Sequence, residues 1–227
     1  MRPYVLLSCA ASIDGYLDDA TQHRLMLSND ADFDRVDAER AACDAILVGA
    51  ATIAADDPRL LVRSASRRDD RVARGLPAGP AKVTVTGHGD LDPGARFFTA
   101  GETERIVYAA TSAMDKTRSA VGAVATVVDA GDPVDLSFVT EDLGARGIGK
   151  LMVEGGSSML TQFLAAGLAD ELHLVVAPFF VGDSQAPRFV GDGQFPWSSQ
   201  NPARLAEVRR MDDVVLLRYA LSDRCTT

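Results

Sequence analysis

The chain is short of the residues that staple or anchor a protein. Its 227 residues include only three cysteines, Cys9, Cys43 and Cys225, an odd number with no paired spacing. That argues against a disulfide framework or a zinc site and for a reducing, cytoplasmic setting. Long apolar runs are missing too. The opening MRPYVLLSCAAS has one arginine and only a brief apolar stretch before Asp14. It is too short for a signal peptide, and a membrane span needs about 20 apolar residues. Positive charge is the third shortage: 23 Lys+Arg stand against 32 Asp+Glu, a net −9. A duplex or an acidic membrane would be repelled, so neither nucleic acid nor membrane is an expected partner. Any phosphate has to be held locally, by a few arginines and by helix N-termini. The three histidines, His23, His88 and His173, lie in separate segments without ligand spacing, so no metal and no hydrolase triad is expected. No G-x-G-x-x-G occurs, which removes the standard dinucleotide fingerprint.

What is present alternates. Tyr4–Ala10 reads as a strand, and Ser28-Asn29-Asp30 as a helix N-cap before Phe33, Val36 and Cys43 at helical spacing. Ala45–Gly49, apolar on both faces, reads as a strand in a sheet covered by helices. Thr52–Asp57 makes a short helical turn that stops before Pro58. Residues 64–80, charged and rich in Gly and Pro, read as an exposed loop. Strands are expected at Lys82–Thr86, Arg105–Ala109 and Val124–Val128, with a helix at Thr111–Val121. Leu136–Arg146 reads as a helix, Lys150–Glu154 as a strand, Ser157–Ala166 as a helix ending at Gly167, and Glu171–Val176 as a strand. Leu205–Arg210 and Val214–Leu221 form an expected hairpin. Such an order implies a mostly parallel sheet with an antiparallel edge in a single domain over 1–227, its last few residues disordered.

Three segments carry candidate chemistry. In LMVEGGSSMLTQFL, residues 151–164, a strand ends at Glu154, Gly155-Gly156 permit a sharp turn, and a helix opens at Ser157-Ser158. Free amides and the positive end of a helix dipole then meet at one point, an anion site that glycine lets a pyrophosphate approach. An ordinary strand-to-helix turn is the plainer alternative. In GAATIAADDPRLLVR, residues 49–63, Asp56-Asp57 offer carboxylates for acid–base work, although a capped turn suits Asp57 better. Arg63, inside an apolar stretch, is a candidate for a substrate phosphate, because the guanidinium fork matches phosphate geometry. In SCAASIDGYLD, residues 8–18, the Ser12-Ile13-Asp14-Gly15 turn falls at the carboxyl end of a strand, where α/β ligands bind.

Taken together, SIDGY, AILVGAAT, ADDPRLLVR and VEGGSSML resemble the reductase domain of riboflavin biosynthesis, in order from Tyr4 to Tyr219. The deaminase motifs of bifunctional members, H-x-E and P-C-x-x-C, are missing, so the resemblance is to a stand-alone reductase. It implies a dihydrofolate-reductase-like, three-layer α/β/α fold with a mostly parallel central sheet and an antiparallel C-terminal hairpin. It also implies NADPH-dependent reduction of a small 5-phosphoribosylamino-pyrimidine to its ribityl form, in a homodimer. Carried over by position, cofactor contacts fall on Ala10, Thr52 and Asp56 and on the run Gly156, Ser157, Ser158, Met159, Leu160 to Gln162; Gly155, Thr86, Gly87 and Thr111 join them as candidates. Ser112 and Lys116, with Thr111, are candidates for a cofactor 2′-phosphate. Substrate contacts fall on Arg40, Leu60, Arg63 and Glu154, with Arg24 assisting. Glu154 and Asp56 are the candidate proton carriers, with water as the alternative.

Bifunctional members carry a lysine at the position of Ser8, and a serine and a tryptophan near Arg24 and Met26. These departures keep a related reductase of secondary metabolism open. Two further readings stand beside it: dihydrofolate reduction on the same fold, and a nucleotide-binding module without turnover. Fold alone does not decide between them.

Overall fold

A computed structural model describes every residue except Ala20, Gln22–Arg24 and Thr226–Thr227. In chain order the elements are β1 (Tyr4–Ala11), α1 (Asp30–Ala42), β2 (Ala45–Gly49), α2 (Ala50–Asp56), α3 (Ala65–Ala73), β3 (Ala81–Thr86), α4 (Arg96–Thr99), β4 (Arg105–Ala109), α5 (Met114–Val121), β5 (Thr126–Asp129), α6 (Leu136–Ala145), β6 (Lys150–Val153), α7 (Ser157–Ala165), β7 (Glu171–Val176), β8 (Arg204–Met211) and β9 (Val214–Ala220). The expected strands and hairpin are all there within a residue or two. The expected helix at Thr111–Val121 is a 3₁₀ turn, Thr111–Ala113, that passes into α5.

The described residues group into two compact units, one of Met1–Pro3 and Asp37–Met152, the other of Tyr4–Val36 and the chain from Val153 onward. In the first unit the strands lie in the order β5-β4-β3-β2-β6. β2, β3, β4 and β5 pair in parallel, from Ala45 opposite Ala81 to Tyr108 opposite Val128. All five residues of β2 are buried, as a strand covered on both faces requires. In the second unit the order is β1-β7-β9-β8: β1 and β7 are parallel, β9 runs antiparallel to β7, and β8 and β9 form an antiparallel hairpin turned at Asp212, φ 55°.

One expectation is overturned. Residues 64–80 are not a loop throughout: α3 occupies Ala65–Ala73. Ser64 caps it, its hydroxyl accepting from the Arg67 amide at 3.4 Å. Arg71 turns inward, donating to the carbonyls of Pro77, Ala41 and Cys43 at 2.8 Å each. The helix therefore exists through contacts with residues about thirty positions earlier, which local composition does not display. Likewise α4, a single turn that local sequence does not announce, is held by Lys82, whose ammonium donates to Phe97 O (3.0 Å) and Ala100 O (2.5 Å).

α1 begins as its sequence indicates, with the side-chain Oδ1 of Asn29 accepting from the Asp32 amide at 3.0 Å. Within the second unit its Arg35 reaches the buried His173, Nη1 to Nδ1 3.0 Å. His173 Nε2 in turn meets Glu171 Oε1 at 2.9 Å, and Arg218 holds the same oxygen at 2.5 Å. Burial by itself would raise the Glu171 carboxyl, but the bonds from His173, Tyr4 and Arg218 prevail and bring it from 4.5 down to about 2. A folded value below the unfolded one stabilises the fold above the unfolded value, and that stability is lost as pH falls through the folded value. Glu171→Gln should therefore cost on the order of 3 kcal/mol near neutral pH. The difference from the parent should shrink between pH 4.5 and about 2. Urea unfolding across that range checks it, and a pH-independent difference would refute the assignment.

Candidate functional site

The strand–glycine–helix segment folds as its residues demand. β6 stops at Val153, Glu154 follows half-buried, and Gly155 and Gly156 take φ 117° and 80° before α7 begins. Both angles lie where an L side chain is strained, so glycine is required at both. Gly156 is the N-cap and no side chain caps the helix. A β-carbon built at Gly155 meets nothing within 4 Å. The Leu160 amide is committed to Gly156 O at 3.1 Å, so the first-turn donors are those of Ser157, Ser158 and Met159. Met159 and Leu160 turn their side chains into the core and Ser158 is exposed. The Ser158 hydroxyl accepts from Gln162 Nε2 at 2.8 Å. First-turn amides, a dipole and open space at Gly155 are the features of a helix-mouth anion site, and they fit the diphosphate of the cofactor that the resemblance implies.

In the same unit Ala10, at the end of β1, packs against the core cluster of Val175, Met211, Val214 and Leu216. Asp14 is engaged locally: Ser12 Oγ donates to it at 2.6 Å, and the amides of Val181 and Gly182 at 3.1 and 2.8 Å. The serine bond leads in holding this carboxyl down at about 2. The SIDG turn thus ties two loops together.

The first unit gathers the remaining candidates. Thr52 and Asp56 are half-buried on α2. Asp57 ends that helix at φ 42°, its carboxylate accepting from the Arg96 amide (2.6 Å) and Nε (2.8 Å). Asp57 is thus the structural cap that the sequence favoured. Leu60, only 3 % exposed, also takes a left-handed conformation, φ 48°. Arg63 is exposed, and Arg40 lies against the same segment, donating to Leu61 O at 3.2 Å. Leu60 and Arg63 therefore lie on one short stretch of chain, with Arg40 of α1 bonded to it. Arg24 lies outside the described residues.

At the ends of β3 and β4 the candidates are already occupied. Thr86 is buried and accepts from the Gly89 amide at 2.9 Å, while Gly87 beside it is exposed. Thr111 Oγ1 donates to Asp129 at 2.7 Å, the Ser112 amide to Asp132 at 3.3 Å, and Lys116 pairs with Asp90. Three carboxylates beside these donors work against a 2′-phosphate there. A cleft of 710 Å³ in this unit is lined by Ala50, Ile53, Asp57, Leu91 and Lys116 among others; neither Thr52 nor Asp56 lines it.

Sequence reasoning missed Asp37, whose carboxylate takes the amides of Arg63 and Ser64. The available signal was Asp37 and Arg40 one helical turn apart, on a face that looked solvated.

A mostly parallel α/β fold with an antiparallel edge, a glycine-led helix without a side-chain cap and an arginine-bearing segment place the chain among α/β proteins with a helix-mouth anion site. The RibD C-terminal domain family model matches residues 3–217, and the chain belongs to that family. The 2,5-diamino-6-ribosylamino-4(3H)-pyrimidinone 5′-phosphate reductase of Archaeoglobus fulgidus is 34% identical over 187 residues, 82% of this chain and 85% of that one. The enzyme of the same name from Methanothermobacter thermautotrophicus is 36% identical, covering 82% of each chain. A pyrimidine reductase-like protein of Corynebacterium diphtheriae shares the fold, with a TM-score of 0.80 at 21% identity over 96% of this chain and 91% of that one. The protein is an oxidoreductase with the mixed α/β fold and antiparallel C-terminal hairpin of these reductases. Among the described residues, no helix is long and apolar enough to cross a membrane.

Proposed function

We propose that the whole chain acts as one reductase domain that reduces a 5-phosphoribosylamino-pyrimidine to the ribitylamino form with NADPH. The observation that carries this reading is the uncapped, glycine-led mouth of α7, suited to a dinucleotide's diphosphate. When bound, the nicotinamide supplies a hydride to C1′ of the opened ribose. The chain binds and aligns: Gly155 and Gly156 admit the cofactor, and the Ser157–Met159 amides hold its diphosphate. Ala10, Thr52 and Asp56 are assigned to the rest of it. Arg63 and Arg40 hold the sugar phosphate. Proton delivery falls to Glu154 or Asp56, and comparing Glu154→Gln with Asp56→Asn separates them. Alignment of the reacting carbons is worth up to roughly 7–11 kcal/mol by analogy with intramolecular reactions.

The test is loss of NADPH absorbance with the ribosylaminopyrimidine phosphate, with dihydrofolate and with no substrate. Turnover of the first alone supports the reading. Oxidation with dihydrofolate, or tight NADPH binding without turnover of the pyrimidine, would replace it. The setting proposed for the chain is the cytoplasm, which three cysteines without paired spacing suit.

A homodimer belongs to the same proposal. The register sets Leu174, Leu217 and Val208 across one sheet face, flanked by Tyr219 and Leu205. Val208 and Leu205 are 59% and 49% exposed, an apolar edge of the kind a partner covers. Val208→Glu should turn a dimer into a monomer by sedimentation velocity; an unchanged particle size would move the interface elsewhere.

A further inference from the structure

Asp37 is a buried carboxylate, 4% exposed, that neither the binding sites nor the chemistry proposed for this chain employs. Its oxygens are turned to one short segment. One accepts from the Arg63 amide; the other accepts from the Ser64 amide at 3.1 Å and from Arg67 Nη1 at 3.0 Å. The carbonyls of the same segment are taken from the other side. Arg40 Nη1 donates to Leu61 O at 3.2 Å, and Arg68 Nη1 to Val62 O at 3.0 Å and Arg63 O at 2.5 Å. The stretch entering this clamp contains two left-handed non-glycine residues, Asp57 and Leu60. Backbone of that kind persists only where its surroundings over-determine it. An ionised carboxylate suits the place because both its oxygens are pure acceptors, facing three donors. An amide would turn a donor toward at least one of them.

We propose that Asp37 is a positioning residue that fixes the backbone of Arg63 and thereby sets selectivity for the sugar 5′-phosphate. The inference rests on the assignment of Arg63 to that phosphate. Because the clamp holds the main chain at residue 63, loosening it moves the guanidinium relative to the phosphate without touching the atoms that react.

The experiment compares the parent, Asp37→Asn, Arg63→Ala and the double variant. Each is assayed with saturating NADPH on the ribosylaminopyrimidine 5′-phosphate and on its dephosphorylated nucleoside. Asp37→Asn should reduce the preference for the phosphorylated substrate by about tenfold, through KM, with kcat within about twofold, and should add little on top of Arg63→Ala. An unchanged preference overturns the inference. So does a parallel loss on both substrates with a lowered Tm, which marks a merely structural role. If Asp37→Asn does not fold, Arg67→Gln, which removes one of the three donors, should shift the preference in the same direction by about threefold; no shift overturns the inference. A parent that shows no preference refutes the phosphate assignment and takes this inference with it. A preference lost in Arg63→Ala but kept in Asp37→Asn refutes only the role of Asp37.

Discussion

Replacing Ser158 with aspartate is expected to weaken NADPH binding at least about tenfold, close to 1.4 kcal/mol, while leaving Tm unchanged or slightly raised. The two effects have opposite signs because they use the same amides. Ser158 is exposed in the first turn of a helix without a side-chain cap. A carboxylate there interacts favourably with the helix dipole by about 0.3–1 kcal/mol and so supports the fold. The same charge then competes with the diphosphate for the Ser157–Met159 donors and repels it. Lost affinity together with lost stability would mean only that the turn was damaged, so the pairing of the two measurements carries the weight. Replacing Gly156 with valine is a poorer experiment, since a β-branched residue at φ 80° strains the turn itself. Fluorescence titration with NADPH and a thermal melt suffice. An unaltered Kd would refute the placement of the diphosphate at α7.

Arg63→Ala carries the second large effect. A charge-assisted hydrogen bond to a phosphate is worth about 1.5–3 kcal/mol, so KM for the phosphorylated substrate should rise roughly 10- to 150-fold. The Arg63 amide, bonded to Asp37, survives the substitution, so the main-chain clamp is kept. Steady-state kinetics at saturating NADPH read the result. A KM within twofold of the parent would send the phosphate to other residues.

Much of the fold was legible because it follows from periodicity and punctuation. β2 is an apolar run closed by Gly49, β4 and β7 are rich in β-branched and apolar residues, and the limits of all three match expectation at both ends. The Asn29 cap and the glycines before α7 were legible for the same local reason. α3 and α4 were not, because each depends on partners far along the chain: Arg71 on Ala41 and Cys43, and Phe97 and Ala100 on Lys82. Arg63 stood out as a charge within an apolar stretch. Asp37 did not, because an aspartate on a charged helix looks solvated until the segment it holds is known. Thr86 and Thr111 were candidates for ligand contacts, and the bonds of their hydroxyls to the adjoining loops were not legible from residue type. Leu60 was placed by resemblance, and its left-handed backbone shows that this leucine also shapes the segment.

The inward turn of Arg71 has a practical consequence for handling the protein. Trypsin, which cleaves after arginine in extended chain, would find a ready target in RRDDR if residues 64–80 were a loose surface loop. Wound into α3 and moored through Arg71 to Ala41, Cys43 and Pro77, those peptide bonds are withheld from the protease until the mooring gives way.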